Sequence, residues 1–424
     1  MSFQQGLSGL NATSKNLQVI GNNIANANTF GSKVARAEFA DIYASAVSGA
    51  GSSSSNTGIG IGTQLAAVAQ QFTQGNIKAT ENSMDLAING AGFFQVTDGQ
   101  SPITFSRNGQ FKADREGFIV NNAQQKLVGY LADAQGQIQP GQAQPLQLPT
   151  GGVPPSATTN MSVEMNLDSR EAATLPAAGP QIDFNDPDTY NNVRAQTVFD
   201  AQGQEVVLTY YFQKTAGETW NVYATANGDT IGGAAGAPLP VTTINFAPDG
   251  SAPVTPAAPV AFSVPITTSP SGVTTMPIAG VLLDFAGATQ FASAFGVTDM
   301  AQDGYASGKL TALAIESNGI VMARYSNGQS RAAGQVELAT FRNPQGLQPI
   351  GDNAWARSYA SGDPVMGVPG EGNMGVLQSG ALEESNIDLT GELVNMIVAQ
   401  RIYQANAQTI KTEDQILQTL VNLR

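Results

Sequence analysis

The sequence predicts a mainly β protein with terminal α-helices, in which the N- and C-terminal helices pair as a coiled-coil-like inner domain, followed outward by two β-rich domains. Three observations predict it. Apolar residues recur at 4-3 spacing at both ends of the 424-residue chain, Asn-Gly and Asp-Gly pairs punctuate the middle, and short runs of β-branched and aromatic residues flank those pairs.

The N-terminal helix carries Phe3, Leu7, Leu10, Leu17 and Ile24 along one seam, with Ser14 and Gly21 at the remaining seam positions and Ile20 widening the stripe. A seam this narrow suits helix-on-helix packing better than a broad face against a globular core. The helix is expected to end near residues 26–29. A Ser/Gly-rich stretch, residues 45–62, then reads as a loop, and a Pro/Gln-rich stretch, residues 139–157, as a linker. Between and beyond them, Asn89, Asp98, Asn108, Asn227, Asp249, Asp303, Asn318 and Asn327 each precede a Gly and signal hairpins. The runs VVLTYYF (206–212), WNVYAT (220–225) and QVELATF (335–341) read as strands. Residues 232–280, rich in Pro, Ala and Thr, suit an elaborated outer domain.

The C-terminal helix is expected after Gly391, where 33 residues run to the end without Gly or Pro. Its seam follows Leu389, Leu393, Met396, Gln400, Tyr403, Ala407, Ile410, Asp414, Leu417 and Val421, and Ser385, Asn386 and Asp388 offer N-cap side chains. The expected organisation, its layering implied by the family resemblance described below, is a helical inner domain (1–28 and 385–424), a connecting region (29–71 and 363–384), a middle β domain (72–145 and 300–362) and an outer β domain (146–299).

Composition removes whole classes of chemistry. The chain has neither Cys nor His, which excludes thiol nucleophiles, Ser/His/Asp triads, disulfide frameworks and His/Cys zinc sites. Charged residues make up 12% of the chain and the net charge is −14, which repels phosphate backbones and anionic lipid. Neither a nucleic-acid partner nor membrane insertion is expected. No basic n-region with an apolar h-region opens the chain, and no 18-residue apolar run occurs.

Two seams at opposite ends of a chain pair with each other or with copies of the same chain. About ten seam side chains, each contributing roughly 1.5–3 kcal/mol on full burial, form a large driving force that an isolated helix leaves unused. The few flanking charges and many Asn and Gln residues suit burial among neighbours. The seams are therefore read as an inter-subunit core, with Phe3, Leu7, Leu10, Leu17, Ile24, Leu389, Leu393, Met396, Tyr403, Ile410, Leu417 and Val421 as the assembly residues. An intramolecular hairpin packed on the β region is the competing reading.

The same residues carry a family resemblance. LSGLNATSKNLQVIGNNIANANTFGSKVARAEF (7–39) resembles the N-terminal signature of the bacterial flagellar rod/hook axial protein family, and ALEESNIDLTGELVNMIVAQRIYQANAQTIKTEDQILQTLVNLR (381–424) its C-terminal signature, especially that of hook subunits. One departure is the order Phe30-Gly31-Ser32-Lys33, where the family has Gly-Phe-Lys after Asn-Thr. NSMDLAINGAGFFQV (82–96) and FSRNGQFKADREGFIVNNAQQKLVGY (105–130) are similar to the β domain shared by rod and hook proteins; residues 198–224 and 334–362 look like hook sequence. The resemblance implies a structural subunit of the flagellar hook, exported through the type III apparatus without a cleaved signal and polymerised outside the cell into a flexible tube that transmits torque. It implies a helical homopolymer as the first partner, the rod at one end, hook-filament junction proteins at the other, and a hook cap during assembly. The alternatives are a distal rod or hook-associated junction protein and, from another class, a secreted β-rich carbohydrate-active enzyme or adhesin. The latter is disfavoured by only two Trp residues.

Other motifs have bland readings. GIGIG (58–62) follows a Ser run rather than a strand and lacks a following Lys, so a β-entry loop is preferred to phosphate binding. Asp183, Asn185, Asp186 and Asp188 cluster oxygens without the spacing of a calcium loop and read as a solvated turn around Pro187. Glu383 and Glu384 are sequence neighbours that point apart, and are read as helix-start charges rather than a catalytic pair. Lys15, Lys33 and Arg36 are too sparse for a lipid patch and are expected to be solvated. No catalytic residue, cofactor or metal is expected.

Overall fold

The computed structural model describes residues 2–43, 60–133, 135–139, 141–174, 182–234, 236–269 and 272–422. The described chain is mostly strand, with a long helix at each end: α1 (Ser2–Ala25) and α2 (Leu389–Asn422). The two helices pack on each other within the chain, as the expected fold class has them, though mostly not through the seam residues that the sequence names.

α1 ends where expected, in a turn whose Asn26 N–H donates to the carbonyls of Asn22 and Asn23. α2 starts two residues before the expected Gly391. Asp388 caps it, its carboxylate accepting from Thr390 N at 3.0 Å, and its carbonyl accepting from Glu392 N.

Chain contacts divide the protein into two compact units: residues 1–150, 312–324 and 330–424, and residues 151–311 and 325–329. In the first unit, the segment expected as a connecting region contains an antiparallel hairpin, β1 (Ala35–Tyr43) and β2 (Gly60–Gln70), packed against α1. Residues 45–59 of the expected loop lie outside the described residues, whereas 60–62 already belong to β2.

The large sheet of this unit follows the order Ile320–Tyr325, Ser330–Val336, Lys126–Leu131, Phe93–Thr97, Thr104–Ser106, Ala354–Ala356 and Gln348–Gly351. Both halves of the chain therefore contribute strands to one sheet. Successive side chains of a strand point to opposite faces, and both faces are buried here. Phe94 and Val96 join a cluster with Leu86, Ile119, Leu127 and Leu338, while Phe93 joins Phe105, Phe341, Leu347 and Trp355. Part of the stretch expected as a linker (139–157) joins this core: Leu146 and Leu148 are buried in it and Gln144–Pro145 pairs with Lys126–Leu131, while residues 151–157 belong to the second unit. The period-2 alternation of QPLQLP, rather than its Pro and Gln content, decides this.

The second unit holds two sheets. One runs Val260–Val264, Ile278–Asp284, Asn160–Asn166, Gly296–Gln302; the other runs Asn192–Phe199, Glu205–Ala216, Thr219–Ala226, Thr242–Phe246, Pro253–Thr255. Met161, Val163, Met165 and Leu283 of the first share a core with Val206, Leu208, Tyr210, Phe212 and Trp220 of the second. The expected runs 206–212 and 220–225 are strands, and 335–341 spans the end of Ser330–Val336 and the whole of the next strand, Leu338–Thr340.

Several turn signals act as read. Asn227-Gly228 closes the hairpin between Thr219–Ala226 and Asp229–Ile231 with both residues at positive φ (50° and 95°), and Asn327-Gly328 closes another. Asn108 and Asp303 do not. Gly109 lies so close to Leu86 O that a Cβ would overlap it, and Asp303 instead accepts from Thr159 N and Asn160 N. The Asp183–Asp188 cluster forms a turn in which Asp186 caps the short 3-10 helix Pro187–Thr189. Among the described residues no group of three or more acidic side chains converges as metal ligands would, and no helix is long and apolar enough to cross a membrane.

Candidate assembly interface and its anchor

Each terminal helix carries two adjacent stripes, and the pairing within one chain uses the less apolar of them. On α1 the side facing α2 is built on Gly6, Gly9, Thr13, Ile20 and Asn23. A Cβ on Gly6 would sit 3.0 Å from Ile410 Cγ1, and one on Gly9 would sit 2.9 Å from the Asn406 amide. Absent side chains bring the two backbones close at this crossing. On α2 the facing positions are Glu392, Asn395, Ala399, Ile402, Asn406 and Ile410.

The sequence-named assembly residues lie mostly one position away from that contact. Phe3 and Leu7 are exposed; Leu10, Leu17 and Ile24 are half-buried. On α2, Leu389, Leu393, Tyr403 and Leu417 are exposed and Met396 and Ile410 half-buried, with Val394, Ile397, Val398 and Ile416 exposed beside them. The Val421 side chain lies outside the described residues. Among the twelve named residues, Ile410 is brought into the intrachain contact, Tyr403 and Leu417 lie exposed on the same stripe two turns to either side of it, and Leu389 and Leu393 are left on an apolar outer face with Ile397.

Sequence reasoning missed what fixes the helical pair to the β body. Lys33, expected to be solvated, is buried, with Nζ 2.6 Å from Glu383 Oε1 and donating to Thr73 O at 2.8 Å. Glu383, expected as a helix-start charge, sits in the strand Ala381–Glu383, fully buried, and its other oxygen accepts from Arg107 Nη1 at 3.2 Å. Gly75 N also donates to Glu383 Oε1, and Arg107 Nη2 donates to Gly90 O at 2.8 Å. Burial pulls the pKa values of Lys33 and Arg107 below their ordinary values, and the Glu383 carboxylate opposes that shift in both. The neighbouring Glu384 is the one that behaves as a surface charge, 3.8 Å from Lys78; Lys15 and Arg36 are exposed as expected.

Around this ion cluster the backbone is stitched by side-chain amides. Asn23, on α1, exchanges two hydrogen bonds with the Ala35 backbone, and Asn386 accepts from Val34 N while donating to Gln71 O and to Thr73. Gly31, at φ +71°, donates its N–H to Glu383 O at 2.8 Å, and a Cβ there would lie 2.5 Å from Asn108 N. The Phe30-Gly31-Ser32-Lys33 order thus places the flexible residue at the close approach and the cation two residues on. The sequence signal for the cluster was three charges, Lys33, Arg107 and Glu383, scattered over distant segments of a chain poor in charge.

Comparison with known proteins gives four family matches along the chain. They are the flagella basal body rod protein (residues 3–33), the D1 domain of flagellar hook protein FlgE/F/G (87–166), the D2 domain of flagellar basal body protein FlaE (166–305) and the C-terminal region of flagellar basal body rod FlgEFG protein (378–423). The chain is 41% identical over 428 residues to flagellar hook protein FlgE of Salmonella typhimurium, covering all of both chains. It is 39% identical to that of Escherichia coli, again over all of both, and 31% identical to that of Borreliella burgdorferi over 100% of this chain and 99% of the relative. Among solved structures, the crystal structure of Helicobacter pylori flagellar hook protein FlgE2 shares the fold with a TM-score of 0.52 at 14% identity, covering 72% of this chain and 100% of that one.

Proposed function

Because the chain belongs to the flagellar hook protein family, we propose that its outer terminal-helix face is the surface through which copies pack into the inner wall of a helical tube. The chain is a structural subunit of the bacterial flagellar hook, in the basal body. The observation that carries the packing reading is the exposed row Leu389, Leu393 and Ile397, spaced four residues apart on α2 and flanked by exposed Val394 and Val398, on a helix that docks on α1 through a different stripe. A large apolar row left in solvent on an ordered helix marks an interaction surface, and head-to-tail contacts that do not close generate helical polymers.

The anchor supplies the mechanical part of the reading. Force applied to the helical pair reaches the β body through the Lys33–Glu383–Arg107 cluster and the Asn23 and Asn386 bridges, all with one end on segments flanking the helices. The outer surface, poor in charge and rich in amides and hydroxyls, offers many near-equivalent hydrogen-bond registers. Neighbouring subunits can then slide as the tube bends while transmitting torque. The rod, junction proteins, hook cap and type III export apparatus are the further partners of this reading. Electron microscopy of the purified protein at high concentration tests it: tubes are expected, and particles of fixed small copy number favour a junction protein instead.

A further inference from the structure

The first unit presents an aromatic knob and, beside the segment that holds its loop, a socket of matching chemistry. Tyr359 is as exposed as a residue in an isolated extended peptide, at 104% relative accessibility. It is nevertheless held by a rigid loop. Ser358 Oγ donates to Gly346 O and accepts from Ala360 N and Ser361 N, Ser361 Oγ donates to Ser358 O, and Asn343 Nδ2 donates to Ala360 O at 2.9 Å. The flanking Arg357 pairs with Asp363 at 3.0 Å. A bulky aromatic ring held wholly in water on an ordered loop is the arrangement of an interface anchor, because its ordering entropy is already spent.

The socket is a pocket of about 270 Å³ lined by Phe72, Ala91, Phe93, Arg107, Phe341 and Pro344. Its size lies below the ~300 Å³ at which pockets begin to hold drug-sized molecules, which suits a single side chain. Its chemistry is selective. The buried cluster beneath it joins two cations, Lys33 and Arg107, to one carboxylate, Glu383, leaving an excess positive charge. Arg107 is 6% exposed, stacks 5.4 Å from the Phe93 ring centroid, and its Nε is buried without a hydrogen-bond partner among the described residues. An electron-rich ring complements such a site through attraction to its excess positive charge and through edge contacts with its aromatic walls, and enters without the desolvation penalty of a carboxylate.

We propose that Tyr359 of one subunit seats in the Phe72/Phe93/Phe341/Arg107 pocket of the next, forming a β-domain contact between copies in addition to the helical one. It rests on the polymer reading above. Knob and socket are different groups, so the contact is head-to-tail and propagates where the rotation between copies does not close.

The chain has no Cys, so single thiols can be placed freely. Ala360→Cys, which keeps the Tyr359 ring, and Ala91→Cys proteins are co-assembled and treated with a short bis-maleimide. Cross-linked dimers are expected in the mixture and not in either variant alone. Independently, Tyr359→Ala and the pocket-plugging Ala91→Trp are each expected to raise the critical concentration for polymerisation about tenfold or more, and Tyr359→Phe less. Wild-type tubes whose mixed thiols never cross-link, or which tolerate Tyr359→Ala at unchanged critical concentration, overturn the contact while leaving the polymer reading intact. A wild-type chain that stays monomeric at every concentration overturns both.

Discussion

Lys33 Nζ and Glu383 Oε1 are 350 positions apart in the sequence and 2.6 Å apart in the fold. The pair joins the segment that follows α1 to the segment that precedes α2, and it draws Arg107 of the β body into the same buried cluster. A buried carboxylate holding two cations is a junction whose parts depend on one another.

Removing the shared anion is therefore the most costly single change at this junction. Glu383→Gln leaves Lys33 and Arg107 buried without a counter-charge and is expected to cost about 3–5 kcal/mol in urea unfolding of the first unit. Lys33→Met, which leaves a one-to-one Arg107–Glu383 pair, is expected to cost clearly less. Equal effects of the two would contradict the shared-anion arrangement.

The outer face of the helices makes a separable prediction. Leu393→Asp and Leu417→Asp place charges on exposed positions and should abolish tube growth, seen by sedimentation, while leaving the helical circular dichroism of the monomer unchanged. Tubes forming normally from either variant would count against the terminal helices as the packing surface.

The crossing of the helices depends on small residues. Gly6→Leu and Gly9→Leu force α1 away from Ile410 and Asn406, and α1 amides should lose hydrogen-exchange protection while strands of the second unit keep theirs. Gly9→Ala is expected to be close to neutral, because roughly 1 kcal/mol of helix propensity offsets a displaced Asn406 side chain. Protection of α1 unchanged in the Leu variants would mean that the helices do not meet there.

Alkaline stability reports on a second buried network. Tyr130 Oη donates to Glu337 Oε1 at 2.7 Å, and Gln95 holds the other Glu337 oxygen. Burial first, then the Glu337 hydrogen bond and charge, push the Tyr130 phenol from 10.0 up to about 12. Between those values the unfolded chain has released the proton and the folded chain retains it, so stability falls as pH rises through that window. Tyr130→Phe should unfold at a midpoint that declines less steeply there; an identical slope would place the phenol outside the coupling.

Local features were legible because their causes are local. The 4-3 spacing marked both helices, Asp388 capped α2 as its type suggested, and Asn227-Gly228 and Asn327-Gly328 turned their hairpins through positive φ. The linker reading of residues 139–157 failed because composition was weighed over the alternation of Leu146 and Leu148. Lys33 was misplaced for a different reason: a lone cation in a polar segment is solvated unless a distant anion makes its burial tolerable, and Glu383 lies 350 residues away.

By itself, then, the sequence determined the mainly β body, the helix at each end, the exclusion of thiol and imidazole chemistry, and the family likeness, since each follows from neighbouring residues or from composition. Only the tertiary structure decided which helical stripe is used within the chain. It chose the glycine stripe over the leucine stripe because backbones can approach closely where Gly6 and Gly9 have no Cβ, and so the more apolar row faces outward. It alone also decided that three charges from three distant segments meet, because the energy of a buried ion depends on partners that no local pattern encodes.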